Sequence, residues 1–362
     1  MCGRSPGRPA LSPTRHRDLP VFFHPLQLGH RPRYEWISGE RIDHPETPSR
    51  AESILAALAE DPVFCLREPV EFPRMWLESV HDPRLTTLYQ RAKCELASGK
   101  ILYPSVFPRR SHVRPDPQQL QEAGYFCMDN ATPLMSTTFE AAAWSAATAA
   151  EAAALLAEGA APMTYALCRP PGHHAERDLF GGYCYFNNAA IAAAVLADRG
   201  PVAILDIDFH HGNGTEAIFY SDPRVLVISI HGDPREFYPY FTGSAGELGV
   251  GAGVGFNLNV PLPAGVDGQE YLRVLDEIVL PRLASFDPAT LILAAGLDAY
   301  KDDPLGSFCL ETGDFAAIGE RVGRLGKPVL AVQEGGYCTE MLGQNAVALL
   351  RGIRSGLLSA GR

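Results

Sequence analysis

From about residue 139 onward, short apolar runs alternate with longer amphipathic or Ala-rich stretches. The runs TYALC (164–168), VAILDIDF (202–209), VLVISIH (225–231), TLILAAGLD (290–298) and PVLAVQE (328–334) predict strands. Between them, 139–158, 187–198, 268–285, 312–325 and 338–356 predict helices. Alternation of this kind predicts a parallel sheet covered by helices on both faces. LILAAG is apolar on every position, as suits a strand buried on both sides. The first 130 residues carry little strand signal, with helices predicted near 49–60 and 83–98. Residues 98–135 are long, rich in Pro and Arg, and without regular pattern. An insertion of that length reads as functional or as an interaction surface. Residues 1–17 carry Arg4, Arg8, Arg15 and Arg17 but no apolar core, so they predict a disordered tail, not a secretory signal. No repeat or linker divides the remainder, 18–362, which reads as a single domain.

Composition narrows the function. Apolar residues make up 46% of the 362 positions, enough for a substantial core. The net charge of −11, with no basic stripe, argues against nucleic acid as a partner. No run of about 18 apolar residues exists to span a membrane. The Ala-rich stretch 139–161 comes nearest, but Glu140, Glu151 and Glu158 interrupt it. Eight scattered cysteines form no CxxC pair, a pattern that predicts free thiols and a cytoplasmic location. Cys184 and Cys338 lie beside polar motifs without a paired base and read as packing residues.

Ligands of open α/β sheets bind beyond the carboxyl ends of the strands. Polar residues collect there. His173 and His174 follow the first run, and Asp206, Asp208 and His210 end the second. Ser229 and His231 end the third, Asp298 the fourth and Tyr337 the fifth. If 202–209 is pleated, Asp206, Asp208 and His210 project to one side. Burying two unpaired carboxylates costs several kcal/mol each. A divalent cation removes that objection. Asp208, His210 and Asp298 offer two anionic oxygens and one imidazole nitrogen, which suits Zn²⁺ and leaves a position for water. Fe²⁺ fits the same donors.

The motifs RPPGHHA, GGYCYFNNAA, DIDFHHGNGTE, GLDAY and EGGY occur in this order. Over roughly 18–355 they resemble the histone deacetylase and acetylpolyamine amidohydrolase superfamily, and most closely its bacterial acetylpolyamine amidohydrolases. The resemblance implies an arginase–deacetylase α/β fold, a single domain around a central, mainly parallel sheet of about eight strands. It implies Asp208, His210 and Asp298 as metal ligands and His173 and His174 as the tandem catalytic histidines. Tyr337 matches the catalytic tyrosine, Asp206 the carboxylate behind His173, and Asn213 the partner of His174. Some relatives place Asp at that last position, and an uncharged Asn stabilises an imidazolium less. Tyr183 and Tyr238 match the walls of a narrow tunnel, and the Gly182 carbonyl an acceptor for the substrate amide. A structural potassium site is implied at Asp206, Asp208, His210, Ser229 and Ile230.

The implied activity is removal of acetyl groups from acetylpolyamines or other small N-acetyl amines. The alternatives are a protein acetyl-lysine deacetylase and, from another class, a non-catalytic acyl-amide binding protein. The latter requires loss of a ligand, a histidine or the tyrosine, and none is lost. A two-manganese ureohydrolase requires further carboxylates next to the ligands, whereas Ala299 and Tyr300 follow Asp298. The resemblance also implies a homodimer, with 98–135 at the interface and at the active-site rim. Where polyamine-selective relatives carry a glutamate, this chain has Ala131, and Leu305 occupies a second gatekeeper position. Asp116, Glu122 and Asp129 are nearby carboxylates that either substitute or are solvated loop charges.

Overall fold

A computed structural model describes residues 18–37, 39–70, 74–110, 115 and 118–361. The tail 1–17 and Asp116 lie outside the described residues. Among the described residues ten strands are formed: β1 (Leu19–Phe22), β2 (Tyr34–Ile37), β3 (Glu40–Asp43), β4 (Phe64–Arg67), β5 (Met163–Ala166), β6 (Val202–Asp206), β7 (Val225–Gly232), β8 (Asn257–Leu262), β9 (Thr290–Ala295) and β10 (Val329–Gln333). Eight of them make one sheet in the order β4-β1-β5-β10-β9-β6-β7-β8. Every pairing in it is parallel. β2 and β3 form a separate antiparallel hairpin.

The five strands expected from the apolar runs are the centre of this sheet. β1, β4 and β8 were not expected. β1 and β4 are only four residues long, too short for a clear pattern. β8 contains Asn257, Asn259 and Pro261, and a proline is tolerated because β8 is an edge strand.

Successive strand residues bury into opposite layers. Tyr165 and Leu205 face one core cluster together with Ile318, Leu349 and Ile353 from the helices Thr312–Arg324 and Thr339–Ala360. Ala166 and Ile204 face the other, with Ala149, Ala152 and Ala153 of Thr138–Ala157 and Ala189, Ala192 and Ala193 of Asn188–Leu196. The Ala-rich stretch is therefore a core helix whose small side chains permit close packing. The helix expected over 268–285 is interrupted by a π turn at Leu275–Val279, directly before Leu280–Phe286. Pro281 explains the break, since it cannot donate to the ladder.

Within 98–135 the described residues hold a bridge between Leu102 and Leu134, a turn at Leu120–Glu122 and a short helix at Ala123–Phe126.

Candidate active site

The carboxyl ends of β5, β6, β9 and β10 deliver the predicted residues to one place. β6 ends at Asp206, three residues earlier than expected. The strand pleat therefore does not align Asp208 and His210 with Asp206. Two side-chain-to-backbone turns do so. Asp206 Oδ1 accepts the Asp208 N–H at 3.0 Å, and Asp208 Oδ1 accepts the His210 N–H at 2.9 Å. Aspartate favours such local turns over continued strand.

Ligand atoms of Asp208, His210 and Asp298 all lie within 4.8 Å of one another. His210 Nδ1 is 2.9 Å from Asp298 Oδ2 and 3.3 Å from Asp208 Oδ1. The other carboxylate oxygens are held by backbone: Gly335 N–H donates to Asp208 Oδ2 at 2.8 Å, and Phe209 N–H to Asp298 Oδ1 at 2.8 Å. A Cβ on Gly335 would stand 2.6 Å from both Asp208 Oδ2 and Asp298 Oδ2, so only glycine fits there.

The electrostatics call for a cation. Burial and the neighbouring Asp208 push the Asp298 carboxyl up to about 7. Burial opposes charge on His210, but its bonds to Asp208 and Asp298 raise it to about 10. The two carboxylates thus gather positive charge from whatever is near, and the donor set of two oxygens and one nitrogen fits a divalent metal. His173, Cys184 and Glu334 also converge within 4.8 Å. Most of their atoms are otherwise engaged, Glu334 Oε1 alone being without a hydrogen-bond partner among the described residues. Glu334 Oε2 accepts Gly172 N–H at 2.6 Å and His173 N–H at 3.1 Å, and the Cys184 thiol is pushed well up by burial.

The tandem histidines differ in their surroundings. His173 Nδ1 lies 2.9 Å from Asp206 Oδ2. Burial opposes its charge, but Asp208 and Asp206 raise it to about 10. His174 Nδ1 lies 2.8 Å from Asn213 Oδ1. Burial, then His173 and His210, hold His174 well below its ordinary value. One imidazole is built to carry charge and its neighbour to stay neutral.

Tyr337 is fixed from two sides. Its N–H and that of Cys338 donate to Asp303 Oδ2 at 2.6 and 2.9 Å. The Arg50 guanidinium lies 4.7 Å from its ring centroid and donates to the carbonyls of Gly336 (2.6 Å) and Glu334 (2.5 Å). Gly336 has φ of 116°, open to glycine but strained for other residues.

A cavity of about 600 Å³ reaches His174, His210 and Tyr337. Tyr183, Gly182 and Tyr238 line it, as do Ala131 and Leu305. Gly182 has φ of 56°, and a Cβ there would stand 2.2 Å from His174 Cδ2. Tyr183 itself sits at φ of 64°.

The roles of several cavity residues escaped the sequence reading. Asp129 is no solvated loop charge. It accepts Gly182 N–H at 2.5 Å, the Tyr238 hydroxyl at 3.0 Å, and the N–H groups of Ala131 (2.9 Å) and Thr132 (3.0 Å). Glu122 lines a different hollow, with Tyr103, Phe107 and Arg110. Glu35 of β2 lines the main cavity and is fully buried, with the Tyr183 hydroxyl as the hydrogen-bonding group beside its carboxyl. Burial pushes its carboxyl up to about 7. The signal was available: YEWI and ERID flank a Ser-Gly turn, a hairpin pattern. Glu176, beside Asn213, gave no such signal.

At the implied potassium site, Asp206 and Ser229 are paired residues of neighbouring β6 and β7, with Ile230 next along β7. Ser229 Oγ lies 2.8 Å from His231 Nδ1.

Comparison with known proteins agrees with this geometry. The histone deacetylase domain model matches residues 44–353. The chain is 41% identical to acetylpolyamine amidohydrolase 2 of Pseudomonas aeruginosa, over 90% of this chain and 95% of that protein. It is 38% identical to acetylpolyamine amidohydrolase of Mycoplana ramosa, over 88% of this chain and 95% of that one. The crystal structure of acetylpolyamine aminohydrolase from Burkholderia pseudomallei superimposes with a TM-score of 0.88 at 38% identity, covering 94% of this chain and 99% of that one. The HDA15 HD domain superimposes with a TM-score of 0.78 at 30% identity, covering 94% of this chain and 95% of that one. The parallel eight-stranded sheet is the arginase–deacetylase fold, and the chain belongs to the histone deacetylase family of metal-dependent deacetylases.

Proposed function

We propose that this protein is a zinc-dependent amidohydrolase that removes acetyl groups from small acetylated amines, acetylpolyamines in particular. The observation that carries the reading is the convergence of Asp208, His210, Asp298, His173, His174 and Tyr337 around one cavity. Proteins 38% to 41% identical to this chain are named acetylpolyamine amidohydrolases.

Asp208, His210 and Asp298 would hold the metal, which when bound acidifies water and polarises a carbonyl. His174 accepts the water proton at Nε2 and later delivers it to the leaving amine. His173, paired with Asp206, stays protonated and stabilises negative charge. Tyr337 donates its hydroxyl proton in a hydrogen bond to the developing oxyanion. Tyr183 and Tyr238 hold a slim aliphatic chain between their rings, and the Gly182 carbonyl accepts the amide N–H. Asp206, Asp208, His210, Ser229 and Ile230 would hold potassium beneath this site. Residues 18–362 act as one catalytic domain.

A homodimer is part of the proposal, with 98–135 at the interface. Met128, Asp129 and Ala131 of this segment line the cavity, so a partner seated there would meet the entrance. The free cysteines favour a reducing, cytoplasmic compartment. No helix of the described residues is long and apolar enough to cross a membrane.

The test is metal analysis followed by acetate release from acetylputrescine and from an acetyl-lysine peptide, with zinc- and iron-loaded protein side by side. Turnover of acetylputrescine supports the reading. Turnover of the peptide alone would move it to protein deacetylation, and no turnover of either by metal-loaded protein would overturn it.

A further inference from the structure

The partner of His174 is an amide, and an amide can be turned end for end at almost no steric cost. What surrounds Asn213 therefore decides which end faces the histidine. Asn213 Nδ2 donates to Glu176 Oε1 at 3.1 Å, while Asn213 Oδ1 lies 2.8 Å from His174 Nδ1. Burial raises the Glu176 carboxyl, with the Asn213 hydrogen bond opposing the rise; in its ionised form it only accepts, so the NH₂ end then faces Glu176. The carbonyl end then faces His174, and a carbonyl also only accepts. The ring proton of neutral His174 must sit on Nδ1, and Nε2 is left with its lone pair.

We infer that Glu176 is a positioning residue that sets the tautomer of His174 through the Asn213 amide. The inference rests on the deacetylase reading only for its consequence, because a base at Nε2 needs that lone pair. Glu176 follows His174 by two residues and is half-buried beside the cavity. It restores a carboxylate one residue behind the Asn213 position, where the bare sequence had suggested that negative charge was missing. Two weaker acceptors point the same way: the His174 carbonyl at 3.4 Å and Met128 Sδ at 3.5 Å from Asn213 Nδ2. Neither carries a charge, and charge-assisted hydrogen bonds are roughly twice as strong as neutral ones.

The test is Glu176→Gln in the zinc-loaded full chain. Glutamine keeps the size and can accept, but it can equally donate, so it no longer dictates which way Asn213 faces. Nitrogen NMR of ¹⁵N-histidine-labelled protein reads the His174 tautomer directly. The wild type is expected to show the proton on Nδ1, and Glu176→Gln a mixture of tautomers. kcat should fall roughly three- to thirtyfold while KM stays within about twofold, since substrate contacts are untouched. Adding Asn213→Asp to Glu176→Gln puts an acceptor-only group directly on Nδ1, and should restore the single tautomer and most of kcat. A wild type with the proton on Nε2 overturns the inference without any variant. So does a Glu176→Gln protein that keeps a single Nδ1–H tautomer and wild-type kcat, because the neutral acceptors would then suffice. The NMR readout needs no turnover. An inactive wild type that shows the expected tautomer shift would count against the deacetylase reading and leave this inference standing.

Discussion

Asp129 Oδ2 accepts the Tyr238 hydroxyl at 3.0 Å and, on its other side, the Gly182 N–H at 2.5 Å. One carboxylate thus spans the cavity wall between the segment around residue 182 and the loop that carries Tyr238. Asp129→Ala leaves these donors and the N–H groups of Ala131 and Thr132 without their acceptor. The expected loss of stability is about 2–4 kcal/mol, at roughly 1 kcal/mol per bond. KM should rise roughly tenfold or more because the wall is no longer held. Thermal unfolding and steady-state kinetics on one preparation check both.

Asp298→Ala removes one of the three proposed metal ligands and also the acceptor of the Phe209 N–H. The protein is expected to lose most of its bound zinc and about 10²-fold or more in kcat, because the metal's contribution goes with it. Elemental analysis after dialysis measures the metal, and a full equivalent retained with full activity would exclude Asp298 as a ligand.

Tyr337→Phe keeps the ring beside Arg50 and removes only the hydroxyl. Loss of one oxyanion donor costs about 10²–10³ in kcat. Because the hydroxyl acts only in the transition state, kcat and kcat/KM should fall together with metal content unchanged. A raised KM at constant kcat would make Tyr337 a substrate-binding residue.

Glu35 ties stability to pH. Its carboxyl is raised by burial to about 7 from an ordinary value of 4.5. Between those two values the folded state binds more protons than the unfolded one, so its contribution falls as pH rises through that window. Glu35→Gln removes the buried charge. It should stabilise the protein at pH 8 by on the order of 1–3 kcal/mol and have little effect at pH 5. Denaturant melts of wild type and variant at the two pH values test this by difference. Equal effects at both would show that Glu35 is not the titrating group.

The residues of the site were legible because their chemistry is local. GHH, DIDFHH and EGGY are contiguous, each sits at the end of a strong apolar run, and strand ends are where an open parallel sheet places its ligands. The central strands were legible for the same reason: an interior parallel strand has to be apolar on both faces. The edges were not. β1 and β4 are four residues long, and β8 alternates Asn with apolar residues because Asn257 and Asn259 donate to Glu216. β4 is a partly exposed edge strand, and β1, though buried between β4 and β5, is too short to carry a continuous apolar signal.

Asp208 and His210 do come together with Asp298, but not for the reason the strand pattern suggested. The pleat that would align them ends at Asp206, and aspartate-capped turns bring them together. The chain by itself determined which residue types can hold a metal, which histidines stand in tandem and which tyrosine follows the last strand. Only the tertiary structure decided that Asp129 braces the cavity wall, that Glu35 is buried beside Tyr183 and that Glu176 faces Asn213. Each of those depends on segments that a single sequence leaves unrelated, and on whether a carboxylate meets an N–H, an amide or a hydroxyl once water is excluded.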